Sequence, residues 1–185
     1  MSHEQTDEEL MLRVAAGDAD AFARLYERHK EGLLNFCYRM LRNWEDAGDI
    51  FQDAFRYLHV HAKTYEPSAK FTTYLFHVAR NMCIDVLRRR KRWNLHQLDT
   101  EIDIADDAPA PTLPLDQGDL ERKIKQAMEE LPEPYREVVH LRVIEDLAYE
   151  DIAQILECPV GTVKSRLHSG LGLLRQILKR KKIVE

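Results

Sequence analysis

The feature that most constrains the fold is a pair of short helical patterns separated by a break, between residues 146 and 169. The first pattern places apolar residues on one side: Ile152, Ala153, Ile155 and Leu156. Pro159 in the break is better placed to open a helix than to continue one, because proline disrupts a helix interior. The second pattern repeats apolar residues at spacings of three and four: Val160, Val163, Leu167, Leu171 and Leu174. These patterns predict a helix-turn-helix, with an ordinary helical hairpin as the alternative.

The opposite face of the second helix carries small polar and cationic side chains. They are Thr162, Lys164, Ser165, Arg166, His168 and Ser169. From Pro159 to Lys182 there are seven Lys or Arg and no Asp or Glu. A helix that packs on one side and offers such groups on the other fits the major groove of duplex DNA. We therefore expect this helix to read DNA, and a solvated basic face is the simpler alternative.

Composition argues against several classes of protein. The net charge of -5 over 185 residues is unusual for a DNA-binding protein, but the charge is segregated along the chain. Cys37, Cys83 and Cys158 are far apart and odd in number, which predicts buried reduced thiols and no metal site. No signal peptide or long apolar span is present, so we expect a cytoplasmic protein without membrane insertion. No motif supports an enzyme or a cofactor.

The N-terminal half predicts four helices. Thr6 and Glu9 suggest a capping box for the first helix, which Gly17 ends. Asp18 or Asp20 starts a long second helix, and Asn43 marks its end. The third helix, residues 44–62, exposes acidic positions near its start: Glu45, Asp46, Asp49 and Asp53.

The fourth helix, predicted over about residues 71–92, follows a loop at 64–70 that contains Pro67. Its last turn has five consecutive cations from Arg88 to Arg92. Cations suit a helix C-terminus. Five are more than capping needs, which favours a stripe that contacts phosphates.

Residues 94–119 predict an extended linker, because seven acidic residues and three prolines occur there with no Lys or Arg. The linker is either a solvated tether or a polyanion that mimics nucleic acid in a basic channel. The segment from Leu120 to Leu178 then predicts four helices. Its first two apolar stripes are Ile124, Ala127, Met128 and Leu131, and Val138, Val139, Leu141 and Val143.

In order and spacing, these segments resemble a known family. The matching stretches are DAFARLYERH, DAGDIFQDAF, KFTTYLFHVARNMCIDVLRRRKR, LPEPYREVVHLRVIEDLAYEDIAQIL and CPVGTVKSRLH. Over about residues 8–178 the chain resembles a bacterial RNA polymerase sigma factor of the extracytoplasmic-function type. We expect an all-α fold of two small helical domains joined by an acidic linker. The expected limits are 1–93 for sigma region 2, 94–119 for the linker and 120–185 for sigma region 4 with its helix-turn-helix.

The resemblance implies three contact surfaces. The third helix is similar to the surface that binds the polymerase clamp helices, through Asp46, Asp49, Ile50, Gln52, Asp53 and Phe55. The following loop and helix are similar to the part that captures a flipped base of the minus-ten element, through Tyr65, Lys70, Phe71, Arg80, Asn81, Asp85, Arg88 and Arg89. The helix after the turn is similar to the reader of the minus-thirty-five element, through Pro159, Thr162, Lys164, Ser165 and His168.

The implied partners are core RNA polymerase and promoter DNA, and the resemblance also allows for an anti-sigma factor that leaves no motif in this chain. The linker is similar to the segment that threads the polymerase, which favours the polyanion interpretation. The chain departs from the family at Gly48, where an acid is usual, and at Ser169–Leu171, where arginines are common. Gly170 and Gly172 also cost about 1 kcal/mol each in a helix. A stand-alone regulator of the response-regulator type is the alternative, although the strands of a receiver domain are missing.

Overall fold

The computed structural model describes residues 5–67, 69–97 and 119–184 of the chain. All regular elements in these ranges are helical, so the predicted all-α fold is confirmed. The chain divides between residues 108 and 109 into two compact units. Most of the predicted acidic linker lies outside the described residues. The tether and polyanion interpretations of it therefore stay predictions.

The described residues of the first unit form four α-helices and one turn of 3₁₀-helix. The helices are α1 (Asp7–Ala15), α2 (Ala19–Leu41), α3 (Trp44–His61) and α4 (Phe71–Gln97), and the 3₁₀ turn is Ala62–Thr64. The long helix α2 packs against α1, α3 and α4. The end of α4 lies beyond the limit predicted near Arg92, so this helix continues into the span expected to be linker.

Local signals set the ends of the first three helices as predicted. Thr6 and Glu9 form a reciprocal capping box at the start of α1. The chain then turns through Gly17, whose φ of 93° lies in the left-handed region that glycine adopts without steric cost. The Asp18 side chain caps α2 by accepting from the Ala21 N–H.

The core of the first unit is formed by apolar stripes from all four helices. Phe36 of α2 meets Phe76 of α4 edge to face, with ring centroids 5.2 Å apart, and both rings are almost fully buried. Buried large side chains from each helix complete this core: Leu10, Met11, Leu25, Leu33, Leu58, Phe71 and Leu75. Burial of this kind is the main source of stability of such a unit.

Residues 119–184, the described part of the second unit, form four short to medium helices. They are α5 (Asp119–Glu129), α6 (Glu133–Val139), α7 (Tyr149–Ile155) and α8 (Val160–Arg180), and a π-helical turn, His140–Ile144, extends α6. Helix α8 packs against α5, α6 and α7. The buried Arg136 closes the end of α5 by donating to the carbonyls of Leu131 at 2.8 Å and Glu129 at 3.3 Å.

Four predictions about burial in this unit are corrected. Ile124 was expected in the first apolar stripe but is 36% exposed. Val143 was expected in the second apolar stripe but is 54% exposed. The π-helical turn explains the exposure of Val143, because this residue lies within the turn, whose i→i+5 spacing changes the direction of its side chains from that of a regular α-helix. Leu171 was expected on the packed face of α8 but is 42% exposed. Cys158 is only half-buried in the turn before α8, whereas Cys37 and Cys83 are buried as predicted.

Candidate functional site

The exposed side of α3 carries the acidic surface predicted to bind polymerase. Asp49 and Gln52 are exposed, and Asp53 is half-buried and pairs with Arg56 at 2.8 Å. Positions 49, 52 and 53 share one face because helical residues three and four apart are neighbours. Ion pairs at such exposed sites contribute little to stability. These side chains are therefore available to a partner.

Other residues predicted for this surface have a different place in the structure. Ile50 and Phe55 are only 6% and 3% exposed, so both belong to the core and support the helix from inside. Asp46 pairs with Arg90 of α4. Arg90 Nη1 also donates to the Leu41 carbonyl at 3.0 Å. These two contacts of Arg90 join the end of α2 and the start of α3 to α4.

The loop predicted for base capture is organised around Tyr65. Its ring packs edge-on against Phe71, with centroids 6.3 Å apart, and tilts against Tyr74 at 5.6 Å. Within the described part of the chain, the buried Tyr65 hydroxyl has no hydrogen-bond partner. Burial, followed by the nearby Glu8 carboxylate, raises the pKa of Tyr65 to about 12. Phe71 is fully buried and Lys70 is exposed, so Lys70 is the more accessible of these two predicted contacts.

Four of the other predicted minus-ten residues, Asn81, Asp85, Arg88 and Arg89, share one side of α4. Asn81 lies half-buried with its amide 3.3 Å from His77 Nε2, one turn earlier. Asp85 follows four residues later and lies 3.5 Å from the Arg88 guanidinium, while Arg89 donates to the Asp85 carbonyl at 3.3 Å. Arg80, the fifth of these residues, is half-buried and points about 100° away from Asn81 around the helix. The other four residues form a continuous strip of polar and cationic groups that begins beside the Tyr65 loop.

The predicted helix-turn-helix is formed by α7 and α8. Pro159 occupies the N-cap of α8, as its position in the sequence predicts, and Glu157 takes a left-handed conformation with φ 50° in the turn. Val163 and Leu167 face the core. The predicted DNA-reading positions lie on the other side: Lys164, Ser165 and His168 are exposed, and Thr162 is half-buried.

Two contacts lie on the predicted DNA-reading face of α8. Lys164 Nζ lies 5.4 Å from the ring centroid of Tyr149, the first residue of α7. Ser165 Oγ donates to the Thr162 carbonyl at 3.0 Å. A serine that back-bonds in this way keeps its acceptor lone pairs for a ligand. The chemistry of this face suits phosphate oxygens and base edges.

Family models match both units of the chain. The sigma-70 region 2 model matches residues 25–93, and the sigma-70 region 4 model matches residues 121–174. The ECF RNA polymerase sigma factor SigW of Bacillus subtilis (strain 168) is 36% identical over 177 residues, which cover 90% of this chain and 94% of SigW. The chain belongs to the family of ECF RNA polymerase sigma factors. As a sigma factor, it binds core RNA polymerase and directs it to promoters, and sigma factors as a class are not enzymes.

Further relatives agree with this assignment. The ECF RNA polymerase sigma-E factor of Escherichia coli (strain K12) is 30% identical over 175 residues, covering 90% of this chain and 91% of that protein. The sigma factor RpoE, solved with the anti-sigma factor NepR from Bartonella quintana, is 25% identical with a TM-score of 0.69, covering 85% of this chain and 96% of that one. CnrH, solved with the cytosolic domain of CnrY, shares the fold with a TM-score of 0.68 at 21% identity, covering 95% and 99%.

In this sigma factor, sequence reasoning missed two connections that shape the candidate surfaces. Glu8 of α1 accepts a hydrogen bond from the Phe71 N–H at 2.8 Å. Arg90, which the sequence suggested as a phosphate contact, is held by Asp46 and the Leu41 carbonyl. One signal pointed toward the first connection: lysine at position 70 cannot cap the helix that follows it. Nothing in the local sequence distinguishes Arg90 from its basic neighbours.

Among residues 5–67, 69–97 and 119–184, no helix has the length and apolar character that crossing a membrane requires. The same residues contain no group of three His, Cys, Asp or Glu placed to hold a metal ion.

Proposed function

We propose that this sigma factor binds core RNA polymerase through the acidic face of α3 formed by Asp49, Gln52 and Asp53. The support is their exposure on one side of a helix whose other side is core. Carboxylates in this position form charge-assisted hydrogen bonds with cationic groups of a partner. Ile50 and Phe55 contribute indirectly, because they fix the helix in its unit. Asp46 contributes both to this face and to the internal pair with Arg90.

The Tyr65–Phe71 loop and the polar strip of α4 are proposed to act on the minus-ten element. Base capture needs an aromatic surface and polar groups that recognise an unstacked base. Tyr65 and Asn81 supply these groups, and Arg88 and Arg89 offer cations for the neighbouring phosphates. The observation that carries this proposal is the polar strip that leaves the loop along α4.

The second unit is proposed to read the minus-thirty-five element through α8. Lys164, Ser165 and His168 project from the side opposite Val163 and Leu167, and Thr162 lies at its edge. Ser169 and Leu171 replace cations that the family often has there, so we expect weak binding to duplex DNA by this unit alone. The stand-alone response-regulator alternative is not favoured, because region 2 of the family occupies the first unit.

The remaining expectations follow from family membership. We propose that the protein works in the cytoplasm, where its polymerase and DNA partners are, and that it catalyses no reaction itself. An anti-sigma partner is also proposed, because RpoE was solved with an anti-sigma factor. Exposed apolar side chains such as Val60 and Ile144 would suit such a partner.

A charge-reversal experiment tests the polymerase surface. Asp49→Arg combined with Asp53→Arg should abolish co-purification with core polymerase, because two carboxylates become repelling cations. The matched control is Glu27→Arg with Glu31→Arg, the same charge change at the same spacing on exposed positions of α2. Each surface change should alter the free energy of unfolding by no more than about 0.5 kcal/mol. Normal co-purification of the α3 variant, or equal loss in both variants, would show that α3 is not the specific contact.

A further inference from the structure

The helix that carries the candidate minus-ten residues begins directly after a lysine, whose side chain cannot cap it. Lys70 occupies the N-cap position of α4, since its carbonyl accepts from the Tyr74 N–H at 3.2 Å. The first four N–H groups of an α-helix lack partners within the helix. Ser, Thr, Asp or Asn usually satisfies one of them, but a lysine side chain has no acceptor atom. The start of α4 therefore needs an acceptor from elsewhere.

Glu8 supplies that acceptor from 63 residues away in the sequence. Its Oε1 accepts from the Phe71 N–H at 2.8 Å. A carboxylate at this end of a helix also interacts favourably with the helix dipole, and a hydrogen bond to a charged acceptor is stronger than a neutral one. The contact attaches the end of the 65–71 loop to α1.

Asp7, the residue before Glu8, holds the first turn of α1 in place. Asp7 accepts from Arg28 Nη1 and contacts His29 Nε2, each at 2.7 Å, and so attaches the same turn to α2. Burial raises the pKa of Asp7, but the hydrogen bonds with His29 and Arg28 outweigh it and leave the pKa below its ordinary value. Glu8 therefore projects from a fixed turn of backbone.

The other end of the loop also lies close to Glu8. Tyr65 packs against Phe71, the residue whose N–H is capped, and against Tyr74 one turn later. His29 completes this cluster, with its ring centroid 5.4 Å from that of Phe71. A change at Glu8 would therefore reach the loop through both the backbone of Phe71 and the ring of Tyr65.

We propose that Glu8 is a positioning residue for promoter recognition, which holds Phe71 and, through it, Tyr65 in the arrangement that receives the minus-ten base. This inference rests on the proposed function of the 65–71 loop. It extends the recognition site to α1, which lies before the residues 25–93 matched by the region 2 family model. A loop that is ordered before DNA arrives does not have to be ordered by it, so the conformational cost of binding is reduced.

The test uses holoenzyme assembled from the full-length variants and purified core polymerase, on a promoter selected by run-off transcription from a library. Glu8→Ala removes the cap, and Glu8→Gln keeps an amide oxygen that can accept the same hydrogen bond. Glu9→Ala is the matched control, because it breaks the capping box of the same helix without touching α4. Asn81→Ala tests the candidate base-capture region itself. Permanganate reactivity of unpaired thymines is measured on the parent promoter and on single substitutions of its minus-ten element.

We expect Glu8→Ala to lower opening of the parent promoter about tenfold, the effect of losing one hydrogen bond to a charged group. It should also reduce discrimination against substituted promoters, while affinity for core polymerase stays unchanged. Glu8→Gln should restore most of the opening and most of the discrimination. Glu9→Ala should open and discriminate like wild type, even when its loss of thermal stability equals that of Glu8→Ala. If Glu8→Ala does not fold, Glu8→Asp replaces it, since its shorter side chain keeps the charge and withdraws the acceptor.

Two results would overturn the inference in distinguishable ways. If Glu8→Ala only loses stability, with opening and discrimination like those of Glu9→Ala, while Asn81→Ala impairs both, then Glu8 does not position the loop. If Asn81→Ala is also without effect on opening and discrimination, the proposed base capture by this region fails together with the role of Glu8.

Discussion

The packing of α8 against α6 predicts opposite effects for the same substitution at two glycines two residues apart. A Cβ added at Gly170 would lie 3.0 Å from Val139 Cγ2 and 3.2 Å from Tyr135 Cβ. A Cβ added at Gly172 would meet nothing within 4 Å. Both glycines lie inside α8, so replacement by alanine should favour the helix equally at the two positions.

The expected magnitudes follow from two effects. Alanine is better than glycine in a helix interior by about 1 kcal/mol, so Gly172→Ala should raise the free energy of unfolding by about that amount. At Gly170 the same gain is opposed by an overpacking cost of about 1–3 kcal/mol. Val139 is 1% exposed and its branched side chain has little rotamer freedom, so it cannot move aside. Gly170→Ala should therefore be neutral to about 2 kcal/mol destabilising.

The assay is chemical denaturation of the full-length protein followed by far-UV circular dichroism. Because the chain has two units, the transitions should be fitted separately. Both tryptophans, Trp44 and Trp93, belong to the first unit, so their fluorescence is an internal control that neither variant should change. Equal stabilisation by both alanines would refute the close approach of α8 to α6.

Two further predictions concern the first unit. Arg90→Ala should destabilise that unit by about 1 kcal/mol, because the Leu41 carbonyl and Asp46 lose their partner, while Arg89→Ala should cost less than about 0.5 kcal/mol. Holoenzyme binding to promoter DNA should also be titrated across salt concentrations, where Arg89→Ala should reduce the slope of log affinity against log salt concentration by about 1. If Arg90→Ala reduced this slope more than Arg89→Ala does, the division of roles between the two arginines would be contradicted. The pKa of Asp7 is lower in the folded protein than in the unfolded protein, so the unfolded protein binds more protons at this residue. The contribution of Asp7 to the free energy of unfolding is therefore complete above the ordinary pKa of 3.8 and is lost as pH falls through the lower folded value. The stability difference between wild type and Asp7→Asn should therefore shrink in denaturation series below about pH 4, and a constant difference down to pH 2 would contradict it.

Short-range signals were sufficient to predict most helix ends in this protein. The capping box at Thr6, the turn at Gly17 and the start of α8 at Pro159 all depend on backbone and side chains within a few residues. The apolar periodicity of α2 and α3 likewise predicted which faces are buried. The candidate surfaces on α3 and α8 followed as the remaining faces of these helices.

Contacts between distant residues could not be predicted in the same way. The cap of α4 by Glu8 joins two residues 63 positions apart, and no local pattern specifies such a pair. At Gly170 the sequence indicated only the loss of helix propensity, while the structure shows that glycine makes room for Val139. Val143 was misplaced because a π-helical turn changes the period on which the prediction relied.

The basic run within α4 shows how one helix can serve two surfaces. Successive helical residues differ in direction by about 100°. Arg89 therefore stays beside Asp85 on the polar strip, whereas Arg90 turns toward the Leu41 carbonyl and Asp46. Because Asp46 is engaged inside the unit, reversing its charge would disturb the α2–α3 junction as well as the acidic face. Asp49 carries no such internal contact among the described residues, so a loss of polymerase binding on its reversal can be assigned to the surface itself.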